Sequence, residues 1–382
     1  MNRTDHAARP RLDFHGRLIE GRQLRVGFIG CGSHAYRNIY PTLQFAPVQL
    51  VATCDLDVDR ARAFAATFGA EAAYADHGRL LERDDLDAVF VVTSSDDRGR
   101  PRYPDLAIDC LDAGCHVWIE KPPATTCRDV DRMREAASRN DRFVMVGFKK
   151  MFAPANEKAL ALSRLDEFGP ISLVRLEYPQ RIPTTAEMAR FLDDQQAVPG
   201  AVAFLDHVCH PMSLLVMLLG MPDALFYERS RNGSGIALCT FEHGAVAELA
   251  LTWGGGTTDG LERSVIYSDT GRHITVDNNT TVSYHRMPFP GYGDVPDFYG
   301  AATEDATAVW RPEFSLGQLY NKGSFLLGYY NEINEFAVAA LADRSPAKGT
   351  LEHAWQVTRL FEAFSEPPGT TIRLGDDVSQ RA

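Results

Sequence analysis

Asp206-His207-Val208-Cys209-His210 gathers a carboxylate, two imidazoles and a thiol into five consecutive positions, directly before Pro211 and the apolar run SLLVMLLG. Those groups are the usual ligands of zinc and its neighbours. Two of them also make a proton-transfer pair, a histidine oriented by an aspartate. A plainer reading is a set of polar residues where a helix begins. On a helix only residues three or four apart share a face, so 206, 209 and 210 converge while His207 points aside. No HExxH or CxxC is present to complete four ligands, and no metal is expected. Asp206 and His210 satisfy the i, i+4 spacing of a proton pair. Pro211 suits the first turn of a helix. A helix beginning there would make His210 its N-cap and let the pair meet through an irregular turn.

Gly30-Cys31-Gly32-Ser33-His34-Ala35 reads GxGxxA between a β-rich run, LRVGFIG, and a helical one, YRNIYPTLQF. The first glycine permits a tight turn, the second lets a pyrophosphate approach the backbone, and small Ala35 allows close packing of helix on strand. Free N–H groups and the helix dipole favour the phosphates. Asp55 ends the next strand, VQLVATCD, 23 residues after Gly32. A carboxylate there accepts hydrogen bonds from an adenosine ribose diol and repels a 2′-phosphate. Asp57, with no arginine adjacent, adds to the preference for NAD over NADP. Asp55 as the N-cap of the following helix is compatible with that role.

His116-Val-Trp-Ile-Glu120-Lys121-Pro122 sets a lysine at the carboxyl end of a strand, where ligands of parallel sheets bind. Glu120 and Lys121 point to opposite sides of an extended backbone, so only one faces a substrate. An ammonium there can hydrogen-bond a substrate hydroxyl and stabilise alkoxide character as hydride leaves. Further on, Lys149 and Lys150 could meet a substrate carboxylate or phosphate, or be solvated. Arg98, Arg100 and Arg102 alternate with Asp96 and Asp97 as a solvated loop does.

The elements that must hold these residues fall into two grammars. From residue 24 to about 150, strands and helices alternate: LDAVFVVTSS is continuously apolar, PDLAIDCLDAG helical, and RDVDRMREAASRN leads into RFVMVGF. That alternation implies a doubly wound parallel sheet, a Rossmann-type α/β domain over 23–148. Thereafter a helix (PANEKALALSRL) precedes ISLVRLEY, ALFYERS, GIALCTFEHGAVAELALTW, RSVIYSDTGRHITV and TTVSYHR, with turns EHG, DTG and DNN. These read as antiparallel hairpins of an open sheet in an α+β domain over 149–382. Two closing helices, YYNEINEFAVAALA and LEHAWQVTRLFEAF, are free to pack back on the first domain. Residues 1–22 read as a flexible arm and 286–323 as irregular.

Length sets two domains as the expectation for 382 residues, and 45% hydrophobic with 24% charged residues are ordinary globular values. A net charge of −12 argues against nucleic-acid and anionic-membrane partners, which require a positive surface. Seven scattered cysteines and no visible secretory signal suit a reducing cytoplasm. Apolar runs of six to eight residues fall short of the roughly 20 that span a bilayer.

The segments GFIGCGSHA, VATCDLD, AGCHVWIEKPPA, VGFKKMFAP, FLDHVCHPMSLLVMLLG and GYYNEINEFAVAALADRSPAKGTLEHAWQV together resemble the Gfo/Idh/MocA family of sugar and polyol oxidoreductases, over about residues 24–365. The resemblance implies a nicotinamide cofactor, a sugar, cyclitol or polyol substrate, and a C-terminal sheet that joins copies into a homodimer or homotetramer. It implies that Lys121 binds the reacting hydroxyl and that Asp206 with His210 forms the acid–base pair. It places the loop Thr93-Ser94-Ser95 beside the nicotinamide. Here the chain departs from the family, with serines where a proline is usual and Tyr103 where a histidine falls, after a short insertion. In FKKMF the family often has an asparagine and arginines. Two other activities use the same fold: glycosidic cleavage by transient oxidation with tightly held NAD, and non-catalytic NAD sensing. An imine or biliverdin-type reductase, which would prefer NADPH, is disfavoured by Asp55.

Overall fold

A computed structural model of the chain describes residues 21–253, 261–286, 306–312 and 322–375. Most of the expected N-terminal arm and of the 286–323 stretch, FPGYGDVPDFYG included, lies outside the described residues. The chain divides into two compact units, Met1–Lys149 with Gly323–Thr358, and Lys150–Lys322 with Arg359–Ala382.

In the first unit six parallel strands are ordered β3-β2-β1-β4-β5-β6. They are β1 (Leu24–Ile29), β2 (Val48–Cys54), β3 (Ala72–Tyr74), β4 (Ala88–Val91), β5 (His116–Ile119) and β6 (Val144–Val146). Every residue of β2, β4 and β5 is buried, as a sheet covered on both faces requires. The strand order reverses between β1 and β4, and the crevice outside their carboxyl ends is where such sheets take ligands. Phe28, Phe90 and Trp118 form the aromatic spine, with Phe28–Phe90 centroids 5.8 Å and Phe90–Trp118 5.4 Å apart. Phe336, on the helix Tyr329–Leu341, closes that spine, 5.1 Å from Phe90 and 5.7 Å from Phe143. Burial of that aromatic contact places 323–358 with this unit, the packing back on the first domain that the closing helices were free to make.

The second unit carries a nine-stranded, mixed, mostly antiparallel sheet in the order β14-β13-β12-β11-β7-β10-β9-β8-β15. Its strands are β7 (Ile171–Tyr178), β8 (Ala224–Arg229), β9 (Gly235–Thr240), β10 (Val246–Leu251), β11 (Arg263–Ser268), β12 (His273–Asp277), β13 (Thr281–His285), β14 (Thr307–Trp310) and β15 (Thr371–Arg373). The β9–β10, β11–β12 and β12–β13 pairs are hairpins at the EHG, DTG and DNN turns. Asn278 and Asn279 take positive φ, 48° and 55°, as the tight DNN turn demands. β7 and β10 pair in parallel. One face of the sheet is buried; on the other Ile236, Leu238, Val246 and Val309 are 43–55% exposed.

The helix Pro199–Leu219 runs unbroken through Pro211. It therefore does not begin at Pro211, and His210 lies within it rather than capping it. Phe204 anchors it, 5.9 Å from Phe361 and 5.1 Å from Phe364. This packing outweighs the one ladder bond a proline removes. It is also the described helix long and apolar enough to cross a membrane, yet 61% of that apolar window is buried in the protein, as in a core helix.

Candidate active site

Gly30 sits at φ +104°, and a Cβ there would lie 1.9 Å from the Val92 carbonyl oxygen, so no other residue fits the turn. A Cβ on Gly32 would meet nothing within 4 Å, which leaves the backbone open to a ligand. Ala35 is fully buried and starts a five-residue π-helical turn, Ala35–Ile39, continued by a single α-turn, Tyr40–Leu43. The expected first helix is one helical run over residues 33–43, π-wound in its first part and ending in an α-turn that carries Pro41.

Asp55 ties this turn to the end of β2: its Oδ2 accepts the Cys31 N–H at 2.8 Å and its Oδ1 the Asp57 N–H at 3.0 Å. Each oxygen keeps a second lone pair with which to accept a ribose hydroxyl. The helix Val58–Phe68 is capped by Asp57, whose Oδ1 accepts from the Asp59 and Arg60 N–H groups. An arginine does stand beside the pair: Arg60 lies 3.7 Å from Asp55 and 3.3 Å from Asp57. Three residues of separation become proximity on the first helical turn, and two carboxylates meet the one guanidinium. Asp55→Ala is expected to weaken NAD binding by about tenfold or more, measured by titration of cofactor fluorescence.

Thr93, Ser94 and Ser95 follow β4. Tyr103 is buried and donates its hydroxyl to the Thr93 carbonyl at 3.0 Å, which pins this loop. The Asp96 carboxylate accepts the Arg98 and Arg100 N–H groups at 2.9 and 2.8 Å, closing the inserted turn upon itself.

At the end of β5 the two neighbours part as the extended backbone dictates: Glu120 is 3% exposed and Lys121 is intermediate. The Glu120 carboxylate accepts the Lys121 N–H at 2.9 Å and holds the His34 Nε2 at 2.8 Å. Asn38 donates its amide to His34 Nδ1 at 3.1 Å, which puts the ring proton on Nε2, facing Glu120. One buried carboxylate therefore links the glycine turn to the lysine turn. Lys149 donates to the Tyr329 hydroxyl at 3.0 Å and lies 4.7 Å from that ring's centroid. Glu332 is fully buried, and among the described residues neither of its carboxylate oxygens has a hydrogen-bond partner. Burial, reinforced by Glu120 and opposed by Lys149, pushes its carboxyl well above the usual range and favours the protonated acid. Sequence reasoning missed Tyr329 and Glu332. The signal was a glutamate on the apolar face, three residues from Tyr329 and four from Phe336.

In the second unit Asp206 and His210 lie one turn apart on the same helix face. Asp206 is half-exposed and His210 buried, its ring 6.2 Å from that of Tyr178. His207 is not wholly aside: its Nδ1 lies 3.7 Å from the Asp206 carboxylate, but 2.8 Å from the Ala203 carbonyl of its own helix. Cys209 is buried against the Asp206 carbonyl. Among the described residues no three His, Cys, Asp or Glu side chains gather as a metal site would require. Lys150 is neither solvated nor open to an anion: it is 5% exposed and bonded to Glu262. Asn279 donates to the same Glu262 oxygen at 2.7 Å, and Asn156 donates to Asn279 at 3.0 Å. Lys150, Tyr178, His210, Glu262 and Asn279 line one small pocket. Burial pushes the Tyr178 phenol up, so it remains a hydroxyl.

Residues 24–148 match the family model GFO_IDH_MocA, "Oxidoreductase family, NAD-binding Rossmann fold". The dTDP-3,4-didehydro-2,6-dideoxy-alpha-D-glucose 3-reductase of Streptomyces antibioticus is 32% identical over 239 residues, 60% of this chain and 69% of that protein. Myo-inositol 2-dehydrogenase of Thermotoga maritima is 27% identical over 197 residues, 52% of this chain. The chain spans only 55% of that relative's length. Among solved structures, a dehydrogenase from Chromobacterium violaceum shares the fold with a TM-score of 0.72 at 22% identity, over 90% of this chain and 94% of that one.

Proposed function

Because the chain belongs to the Gfo/Idh/MocA oxidoreductase family, we propose that it interconverts a secondary alcohol and a ketone on a sugar, cyclitol or related polyol, with NAD as the hydride partner. The observation that carries this reading is the Glu120 bridge, which joins a glycine turn suited to a dinucleotide to the turn that presents Lys121. The residues fit the cofactor: Gly32 leaves room above the turn, and Asp55 offers acceptors for a ribose diol. When bound, the nicotinamide accepts the carbon-bound hydrogen as hydride.

In this reading Lys121 hydrogen-bonds the reacting hydroxyl and stabilises its developing negative charge. His210, one helical turn from Asp206 on the same face, takes the hydroxyl proton. In oxidation His210 takes the proton while the hydride would go to the bound cofactor, and in reduction His210 returns the proton. Thr93, Ser94 and Ser95 would border the cofactor. Screening NADH formation against neutral sugars, inositols, aminosugars and their acid or phosphate forms tests the reading. A compound that is turned over with NADH accumulating supports it. Turnover without net NADH would point instead to glycosidic cleavage by transient oxidation. NAD binding with no turnover of any compound would point to a sensor.

The exposed face of the nine-stranded sheet is the surface we assign to contact between copies, as a homodimer or homotetramer. Leu238→Glu, on that face, is expected to shift the protein to a smaller species in light scattering.

A further inference from the structure

We propose that the substrate is uncharged where it meets the second unit, a neutral polyol rather than a sugar acid or sugar phosphate. This rests on the dehydrogenase reading above. A side-chain cation is the usual partner of a carboxylate or phosphate, and among the described residues lining the pocket Lys150 and Arg263 are each already held by a carboxylate. Lys150 is buried and bonded to Glu262, which Asn279 also holds, and Asn156 braces both Asn279 and the Lys150 carbonyl. Arg263 donates to Asp277 at 2.7 Å and pairs across the strands with Glu177, another pocket residue. Burial pushes Lys150 downward while Glu262 pushes it back up; ammonium or amine, it offers an anion no net positive charge. An anionic substrate would have to break a buried ion pair and leave Glu262 facing it as a second negative charge.

What the pocket offers instead suits hydroxyls. Among the described residues Glu262 is bonded through Oε2, and its Oε1 can accept a hydroxyl. Tyr178 stays protonated and can donate, and Ser264 can do either. These are the paired donors and acceptors a polyol satisfies.

The test compares matched compounds that differ only in charge: D-glucose with D-glucuronate and D-glucose 6-phosphate, and myo-inositol with its monophosphate. Initial rates of NADH formation are followed with the full-length protein. The neutral member is expected to lead in kcat/KM by about tenfold or more. Glu262→Gln leaves Lys150 without its counter-charge, and should shift that ratio toward the charged member by about tenfold. NAD titration confirms that the variant is folded. Should it fail to fold, Lys150→Met with Glu262→Gln removes both charges and is expected to keep the neutral preference. A native preference for the charged member, or an unchanged ratio in Glu262→Gln, overturns the proposal alone. Absence of NADH with every compound overturns the dehydrogenase reading and this proposal with it.

Discussion

Lys121→Ala should lose roughly 10²–10³-fold in kcat/KM while binding NAD almost as tightly as the native protein. The size follows from removing one preorganised donor aimed at a developing oxyanion. The sparing of NAD follows from the local structure. The glycine turn is held by the Gly30, Asp55, His34 and Glu120 contacts, none of which uses the Lys121 side chain. Glu120 bonds the backbone N–H of residue 121, which alanine retains. Steady-state rates on any compound that yields NADH, beside a cofactor titration, separate the two effects. Lys121→Ala that turns over normally would remove the lysine from the mechanism. A variant that fails to bind NAD would make it a cofactor residue instead.

Glu332→Gln should raise thermal stability, and the gain should grow with pH. Glu332 is fully buried, has no hydrogen-bond partner on either oxygen among the described residues, and feels Glu120 and Lys149. Its folded pKa is raised above the unfolded value of about 4.3. The protonated acid's contribution is thus fully present below that pH and is lost as pH rises toward the folded value. Over that window the native protein loses up to about 1.4 kcal/mol per pH unit relative to a side chain that cannot ionise. The glutamine variant should match the native protein near pH 4 and melt higher at neutral and alkaline pH. Melting curves across that range decide it, and a gap constant with pH would show that Glu332 does not hold its proton.

Much of the first unit could be read from sequence because its chemistry is local. GxGxxA, Asp55 and the EKP turn each lie within a strand and its following loop, and the continuous apolar strands announced a sheet covered on both faces. The hairpins of the second unit were legible for the same reason, through their EHG, DTG and DNN turns. Strands of three residues, Ala72–Tyr74 and Thr371–Arg373, carry too little pattern to be seen. The helix Thr185–Leu192 was missed although its capping box, Thr184 with Glu187, stood in the sequence. Pro211 misled because core packing overrides a local breaker.

The fate of the two lysines was not legible at all. Lys149 and Lys150 are adjacent, yet one meets Tyr329 and the other Glu262, 180 and 112 residues away. A pairing across that distance leaves no local trace. His34 shows the same limit: the spacing identified it as part of the turn, but its bond to Glu120, 86 residues on, came only with the fold.

The most direct test of hydride transfer is the fate of the hydrogen on the reacting carbon. A compound that yields NADH is prepared with deuterium there, and the reduced cofactor is recovered and examined by NMR. The account predicts that the deuterium lies on the nicotinamide C4, on one face only, in amount equal to the ketone formed. Deuterium released to water, or substrate consumed while the cofactor carries none, would contradict it.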